Sequence, residues 1–233
     1  MLRQNIAEAV KPPPKLSVSD WADANRVLSG EAASEPGPWK TSRAPYTRGP
    51  MDAYSDPEVK EVVLACASQL GKTEIMLNCL GWAIDIDPGP MLLVQPNGKL
   101  ASAFSNDRLS PMLRDTKSLK AKVAPAKSRD SKNTIGRKGF RGGYVAMASA
   151  ESAADLSGRP ISKTFLDEES RYESTKEGDA AALAERRMAN FPFNKMFRCS
   201  SRRDEGTCGC IDFRPNIWSD ATITKGYKSI TRG

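Results

Sequence analysis

Histidine is absent from all 233 residues. That excludes the Ser-His-Asp triad, the Cys-His pair, histidine-ligated zinc and imidazole proton transfer, and leaves any chemistry to carboxylates, lysine, backbone amides or a bound metal. Cysteine is scarce: five residues, at 66, 79, 199, 208 and 210, an odd number without a CxxC pair. Neither a disulfide framework nor a zinc ribbon follows, Cys208 and Cys210 read as incidental, and reduced thiols are expected. No apolar run approaches the length of a membrane span. The opening segment MLRQNIAEAVKPPPK lacks the charged and hydrophobic regions of an export signal, so the expected setting is cytoplasmic. Aromatics make up 7% and hydrophobic residues 39%, enough for a single buried core. What is present in excess is positive charge: 35 Lys+Arg against 28 Asp+Glu, spread along the chain, permits a polyanionic partner.

Pro12-Pro13-Pro14 closes a stiff arm over residues 1–15. Ser19 or Asp20 is expected to cap a short helix carrying Trp21, Ala22 and Val27, and the Pro/Gly/Ser/Thr-rich stretch from Gly30 to Gly49 reads as an irregular connection anchored by Trp39 and Tyr46. Regular pattern starts at Val62-Val63-Leu64-Ala65-Cys66, expected as a strand buried on both faces. A loop through Thr73 leads into a helical recurrence of Ile75, Met76, Cys79, Leu80, Ala83 and Ile84, which ends at Asp87-Pro88-Gly89-Pro90. Met91 to Val94 is a second strand and Leu100 to Leu113 a second helix with Phe104, Leu109 and Leu113 inward. Two βα units in succession predict a parallel α/β sheet. The basic segment from Lys117 to Gly143 is expected to project from that sheet. Strands over 144–148 and 161–166, a helix from Asp179 to Met188 and a last strand from Lys195 to Ser200 complete the pattern, and no period is assignable beyond Ser201.

Gly71-Lys72-Thr73 lies between an apolar strand and an apolar-periodic helix, the context in which backbone N–H groups and a helix N-terminus face a phosphate. Lys72 would reach the β- and γ-phosphates of a nucleotide and the Thr73 hydroxyl would ligate Mg²⁺. The full GxxxxGK[ST] pattern is broken, because Cys66 stands at its first glycine. Phe165-Leu166-Asp167-Glu168 delivers two carboxylates at a strand's C-terminal end, where α/β sheets bind ligands. Asp167 suits water-mediated Mg²⁺ binding, and Glu168 suits polarising a water for attack on the γ-phosphate. Together the two motifs predict a three-layer α/β P-loop NTPase core with a mainly parallel central sheet.

These residues stand among further blocks in one order: Leu16-Ser17-Val18-Ser19-Asp20-Trp21-Ala22, Glu35-Pro36-Gly37-Pro38-Trp39, Gln69-Leu70-Gly71-Lys72-Thr73-Glu74, Val94-Gln95-Pro96, Ser128-Arg129-Asp130-Ser131-Lys132-Asn133-Thr134, Ser157-Gly158-Arg159-Pro160 and Leu166-Asp167-Glu168. From Leu16 to about Ser201 the chain resembles the N-terminal ATPase half of tailed-phage terminase large subunits of the lambda-type GpA-like group. The resemblance implies a motor subunit that hydrolyses ATP to drive double-stranded DNA into a procapsid in the bacterial host cytoplasm. Its implied partners are the terminase small subunit, the portal protein and other copies in a motor ring. It implies an ATP-binding loop of Ser68, Gln69, Leu70, Gly71, Lys72, Thr73 and Glu74, with Lys72 and Glu168 catalytic and Thr73 and Asp167 serving Mg²⁺.

Many relatives carry an arginine where Ser68 stands, so Arg108, Arg129 and Arg159 become candidates for a transition-state arginine. The family's Ser-Thr-Pro-like coupling segment is here Ser200-Ser201-Arg202, and its nuclease region does not follow, which suggests a truncated or frame-shifted product with an aberrant tail over 202–233. The basic stretch from Lys117 to Arg141 is a candidate DNA surface, and Trp21 and Trp39 are candidates for an adenine pocket or for plain apolar anchors. Competing readings are a helicase-like P-loop translocase and a catalytically idle remnant that binds DNA or packaging partners.

Overall fold

The computed structural model describes residues 16–31, 33–123, 133–173 and 178–201, and the backbone of 221–225 and 228–230. The N-terminal arm and most of the tail thus lie outside the described residues. The first helix, α1 (Val18–Asn25), is capped two to three residues earlier than the sequence pattern suggests: Ser17 accepts the Asp20 N–H, and Asp20 sits in the first turn, where its charge favours the helix dipole. Val27 falls outside this helix, in β1 (Val27–Leu28), which pairs with β2 (Gly37–Pro38).

The helix α2 (Arg48–Ser55) then leads into β3 (Val59–Cys66). β3 alternates buried and half-buried positions, so it is not covered equally on both faces as its apolar run suggests. It feeds α3 (Lys72–Ile86), whose inner face from Ile75 to Ile84 is almost wholly buried. β4 (Pro90–Gln95) follows, and then α4 (Gly98–Phe104) and α5 (Ser110–Asp115), joined by one π-helical turn over Ser105–Leu109. Phe104, Leu109 and Leu113 all face inward as their spacing predicts.

After the short α6 (Lys117–Lys120), the basic segment does not simply project from the sheet. Arg137–Phe140 forms β5, an edge strand antiparallel to β6 (Gly143–Ser149). α7 (Ala153–Ser157), β7 (Lys163–Leu166), α8 (Ala180–Met188) and β8 (Lys195–Ser201) complete the core, with Asp179 capping α8. Ala221–Lys225 (β9) and Lys228–Ile230 (β10) form an antiparallel pair beside β3, beyond the point where the sequence shows a period.

The sheet order is β10-β9-β3-β8-β7-β4-β6-β5, parallel from β3 to β6. The chain leaves β3 through α3, skips two places to β4, and later returns to fill the gap with β7 and β8. This inserts β8 between the strand carrying the glycine-lysine loop and the strand carrying Asp167. Alternate residues of the central strands enter two apolar clusters: Met91, Leu93, Phe165 and Phe197 join α3, while Leu92, Val94, Leu166 and Met196 join α7 and α8. The result is the three-layer α/β arrangement expected from the sequence, with each fully buried large side chain contributing about 2 kcal/mol.

Both N-terminal indoles are taken up in this packing. Trp21 is fully buried; a Cβ at Gly81 would lie 2.5 Å from its ring, so glycine is required on α3 for the two helices to approach. Its Nε1 donates to Asp85 at 2.7 Å, and Trp39 Nε1 donates to the Thr41 hydroxyl at 3.0 Å. Burial and these hydrogen bonds fit both residues as apolar anchors.

Candidate nucleotide site

The loop from Ala67 to Gly71 leaves β3 at the C-terminal edge of the sheet. Ala67, Ser68, Gln69 and Leu70 are exposed, and Gln69 and Gly71 adopt left-handed backbone, with φ of 63° and 74°. Gly71 enters this region without steric cost, whereas Gln69 is held there by the turn. No side chain caps α3, so the N–H groups of its first turn remain turned to the loop, the arrangement that receives an anion. Cys66, at the position of the missing glycine, closes β3 as a buried residue in register with Ser201.

Lys72 is buried, and its ammonium donates to the Ala67 carbonyl at 3.2 Å and to the Ser201 hydroxyl at 3.1 Å. Ser201 in turn donates to both oxygens of Glu168, at 3.0 and 2.9 Å, and Lys72 Nζ lies 3.9 Å from that carboxylate. Thus β8 supplies the hydroxyl that joins the loop lysine to the Glu168 carboxylate. Glu168 is itself left-handed, φ 52°, a conformation that costs a non-glycine residue about 1 kcal/mol or more. Two ties fix the turn behind it: the Ser170 N–H donates to Ser200 at 3.0 Å, and Arg198 grips Glu169 with two nitrogens while its third reaches Glu61 at 3.0 Å.

Asp167 stands beside Glu168 but in a different environment. It is 4% exposed, and burial pushes its pKa up; hydrogen bonds from Gln95 and Cys199 and the charge of Lys72 act against that rise, while Glu168 adds to it. Thr73 is half-buried in the first turn of α3. Glu74 is drawn aside by two arginines: buried Arg26 at 2.9 Å and Arg108, from the π-helical turn, at 3.5 Å. Burial lowers the pKa of Arg26 and Glu74 opposes that fall.

The structure thus brings Lys72, Asp167 and Glu168 together at one edge, with Ser68 to Glu74 wrapping the start of α3. Of the candidate arginines, Arg108 touches the loop's helix through Glu74. Arg159 instead lines a cleft of about 570 Å³ with Leu92, Ala146 and Leu156, on the face opposite α3, and Arg129 lies outside the described residues. Arg26, Gln95, Cys199 and the bridging role of Ser201 were not readable as site features. Gln95 stands inside a recognisable Val-Gln-Pro block, but Arg26 carries no sequence signal at all.

Among the described residues no group of three or more metal-ligating side chains occurs. A hydroxyl and one carboxylate beside a phosphate-receiving loop nonetheless fit a hard cation that keeps most of its waters, as Mg²⁺ does.

A glycine-lysine loop between strand and helix, with paired carboxylates ending a parallel strand one place removed in the sheet, is the arrangement of a P-loop nucleoside-triphosphatase core. The model of one such family, the ATPase domain of the phage terminase large subunit gpA, matches residues 33–214, and the chain belongs to that family. The terminase large subunit of Escherichia phage lambda is 28% identical over 216 residues, which cover 89% of this chain and 32% of that protein. The crystal structure of the HK97 bacteriophage large terminase shares the fold, with a TM-score of 0.61 at 14% identity over 81% of this chain and 38% of that one. The chain therefore spans about a third of the length of these relatives. No helix among the described residues is long and apolar enough to cross a membrane.

Proposed function

We propose that this chain hydrolyses ATP as the motor domain of a terminase and couples turnover to the movement of double-stranded DNA into a procapsid. The observation that carries the reading is the chain of contacts from Lys72 through Ser201 to Glu168 at the mouth of the glycine-lysine loop. Ser68 to Thr73 supply the cradle for the triphosphate, with Glu74 bracing the first turn of α3 through its arginines. Lys72 is the mobile cation: on nucleotide binding it exchanges the Ala67 carbonyl and Ser201 for phosphate oxygens and neutralises charge there. Glu168, released from Lys72, orients the attacking water and accepts its proton. Thr73 and Asp167 are the residues that would hold Mg²⁺, which supplies Lewis-acid stabilisation of the phosphate charge when bound.

Family membership supports the remaining partners, namely the terminase small subunit, the portal protein and further copies of the chain in a motor ring, acting in the bacterial host cytoplasm. Arg137 and Arg141 at the β5 edge, with Lys117 and Lys120 exposed on α6, support a DNA-facing surface. Steady-state ATP hydrolysis by the chain, with and without double-stranded DNA, tests the reading. Turnover that is lost in Lys72→Ala and in Glu168→Gln, with nucleotide still bound by the latter, is the expected result. A folded chain without turnover under either condition would sustain the idle-remnant reading instead.

A further inference from the structure

Gln95, Asp167 and Cys199 form one row across the neighbouring parallel strands β4, β7 and β8. Val94 pairs with Leu166 and Leu166 with Arg198, so the next residue of each strand falls at the same level. Alternation places all three with Leu93, Phe165 and Phe197, on the face covered by α3. All are buried, at 4%, 4% and 1% exposure. Gln95 Nε2 donates to Oδ2 of Asp167 at 2.9 Å, and the Cys199 thiol donates to Oδ1 at 3.1 Å.

Two points make this more than a satisfied core carboxylate. First, a buried acid is ordinarily paired with a cation, yet both donors here are neutral, and Lys72 directs its hydrogen bonds to Ala67 and Ser201. Among the described residues Asp167 is thus held by hydrogen bonds and forms no ion pair. Second, the donors approach from opposite strands, one to each oxygen, which fixes the plane of the carboxylate. Each oxygen accepts along two directions, and among the described residues each takes one side-chain hydrogen bond, so a second acceptor direction remains on each. Carboxylates that serve metals are oriented by hydrogen bonds of this kind.

We propose that Gln95 is a positioning residue for Asp167, aided by the weaker Cys199 donor, and orients the open acceptor positions for a divalent cation and its water. The inference rests on the nucleotide-site reading above. It gives a role to the Val94-Gln95-Pro96 block, which the P-loop and carboxylate motifs leave unexplained.

The test uses equilibrium binding of a fluorescent ATP analogue to the full chain across a Mg²⁺ titration, so that it does not depend on turnover. Gln95→Met keeps the shape of the side chain and removes the donor. The expected result is unchanged affinity in metal-free buffer and a half-saturating Mg²⁺ concentration raised about ten- to a hundredfold. In an Asp167→Asn background the same substitution should have no further effect, which a general packing defect would not reproduce. Cys199→Ala should give a smaller loss of the same kind and Cys199→Ser should restore it, and this pair serves if Gln95→Met does not fold. If the wild-type chain shows Mg²⁺-dependent binding and the variants match it, the positioning role alone is overturned. If the wild-type chain binds no nucleotide with or without Mg²⁺, the nucleotide-site reading falls and takes this proposal with it.

Discussion

The Ser201 hydroxyl spans both carboxylate oxygens of Glu168, at 3.0 and 2.9 Å, across a sequence gap that only the insertion of β8 beside β7 can close. Because the same hydroxyl accepts from Lys72, it sets the distance between the cation and the carboxylate. A hydrogen bond to a charged group contributes about 1.5–3 kcal/mol. Ser201→Ala is therefore expected to lower kcat about tenfold or more while leaving the KM for ATP within about threefold, with Ser201→Thr retaining most of the rate. Steady-state kinetics on the two variants checks this, and a kcat in Ser201→Ala within about twofold of wild type would remove Ser201 from the mechanism.

Arg198 holds the turn behind Glu168. Burial alone would make its guanidinium less basic, but hydrogen bonds and charge from Glu169 and Glu61 more than reverse this and raise its pKa. Arg198→Met leaves two partly buried carboxylates facing each other beside Glu168. The expected loss of stability is about 3 kcal/mol, measured by urea unfolding. Arg198→Lys should recover little of it, since an ammonium cannot reproduce the two-nitrogen grip on Glu169. Unfolding curves that coincide for Arg198→Met and wild type would count against this bracing role.

Much of this architecture was legible because it rests on local pattern. Val62 to Cys66, Met91 to Val94 and Phe165-Leu166 declare parallel strands by apolar runs, and Ile75 to Ile84 declares α3 by its period. What stayed hidden depends on pairing across strands. The Gln95-Asp167-Cys199 row exists only through the β4-β7-β8 register, and Ser201 meets Lys72 only because β8 lies beside β3. β5 was hidden for another reason: its Arg137-Lys138-Gly139-Phe140 composition suits a charged edge strand and reads as loop in isolation. Ser17 does not stand out as the cap in the sequence, because Ser19 and Asp20 offer equally suitable side chains two and three residues on.

At the opposite edge of the sheet from the nucleotide loop, Lys195 is 8% exposed and donates to the Asp56 and Val59 carbonyls at 2.6 and 2.9 Å. Burial brings its pKa down to about 8; Asp56 and Asp87 oppose this and neighbouring Lys163 adds to it. The unfolded chain therefore binds more protons between about pH 8 and pH 10.4, so the contribution of Lys195 is fully present above that window and lost as pH falls through about 8. The difference amounts to about 3 kcal/mol. Tyr54 and Cys79, whose pKa values burial raises, act in the opposite sense at alkaline pH, so the comparison must be made against Lys195→Met. Relative to that variant, wild type should gain stability from pH 8 to 10, and parallel stability curves would show that the ammonium is not strained.

The β5 edge offers the last prediction. Arg137, Lys138 and Arg141 follow one another in a stretch from 133 to 150 that contains no acidic residue, and Lys117 and Lys120 stand exposed on α6. Arg137 stacks over Tyr144 at 4.0 Å and Lys138 is buried beneath the edge, so Arg141 and the outer face of Arg137 are the groups presented to a partner. A groove of about 510 Å³ beside them is lined by Arg137, Arg141 and Lys122 together with Val123 and Phe140. Each phosphate contact releases counterions, which makes affinity fall with salt by about one unit of log–log slope per contact. Arg137→Gln with Arg141→Gln should therefore weaken binding of double-stranded DNA uniformly across sequences and reduce the salt slope by about two, while ATP hydrolysis without DNA stays at the wild-type rate. Fluorescence anisotropy from low to moderate salt measures the slope. An unchanged slope would place the DNA elsewhere on the chain, and a loss of DNA-free turnover would mean that the edge supports the sheet rather than the partner.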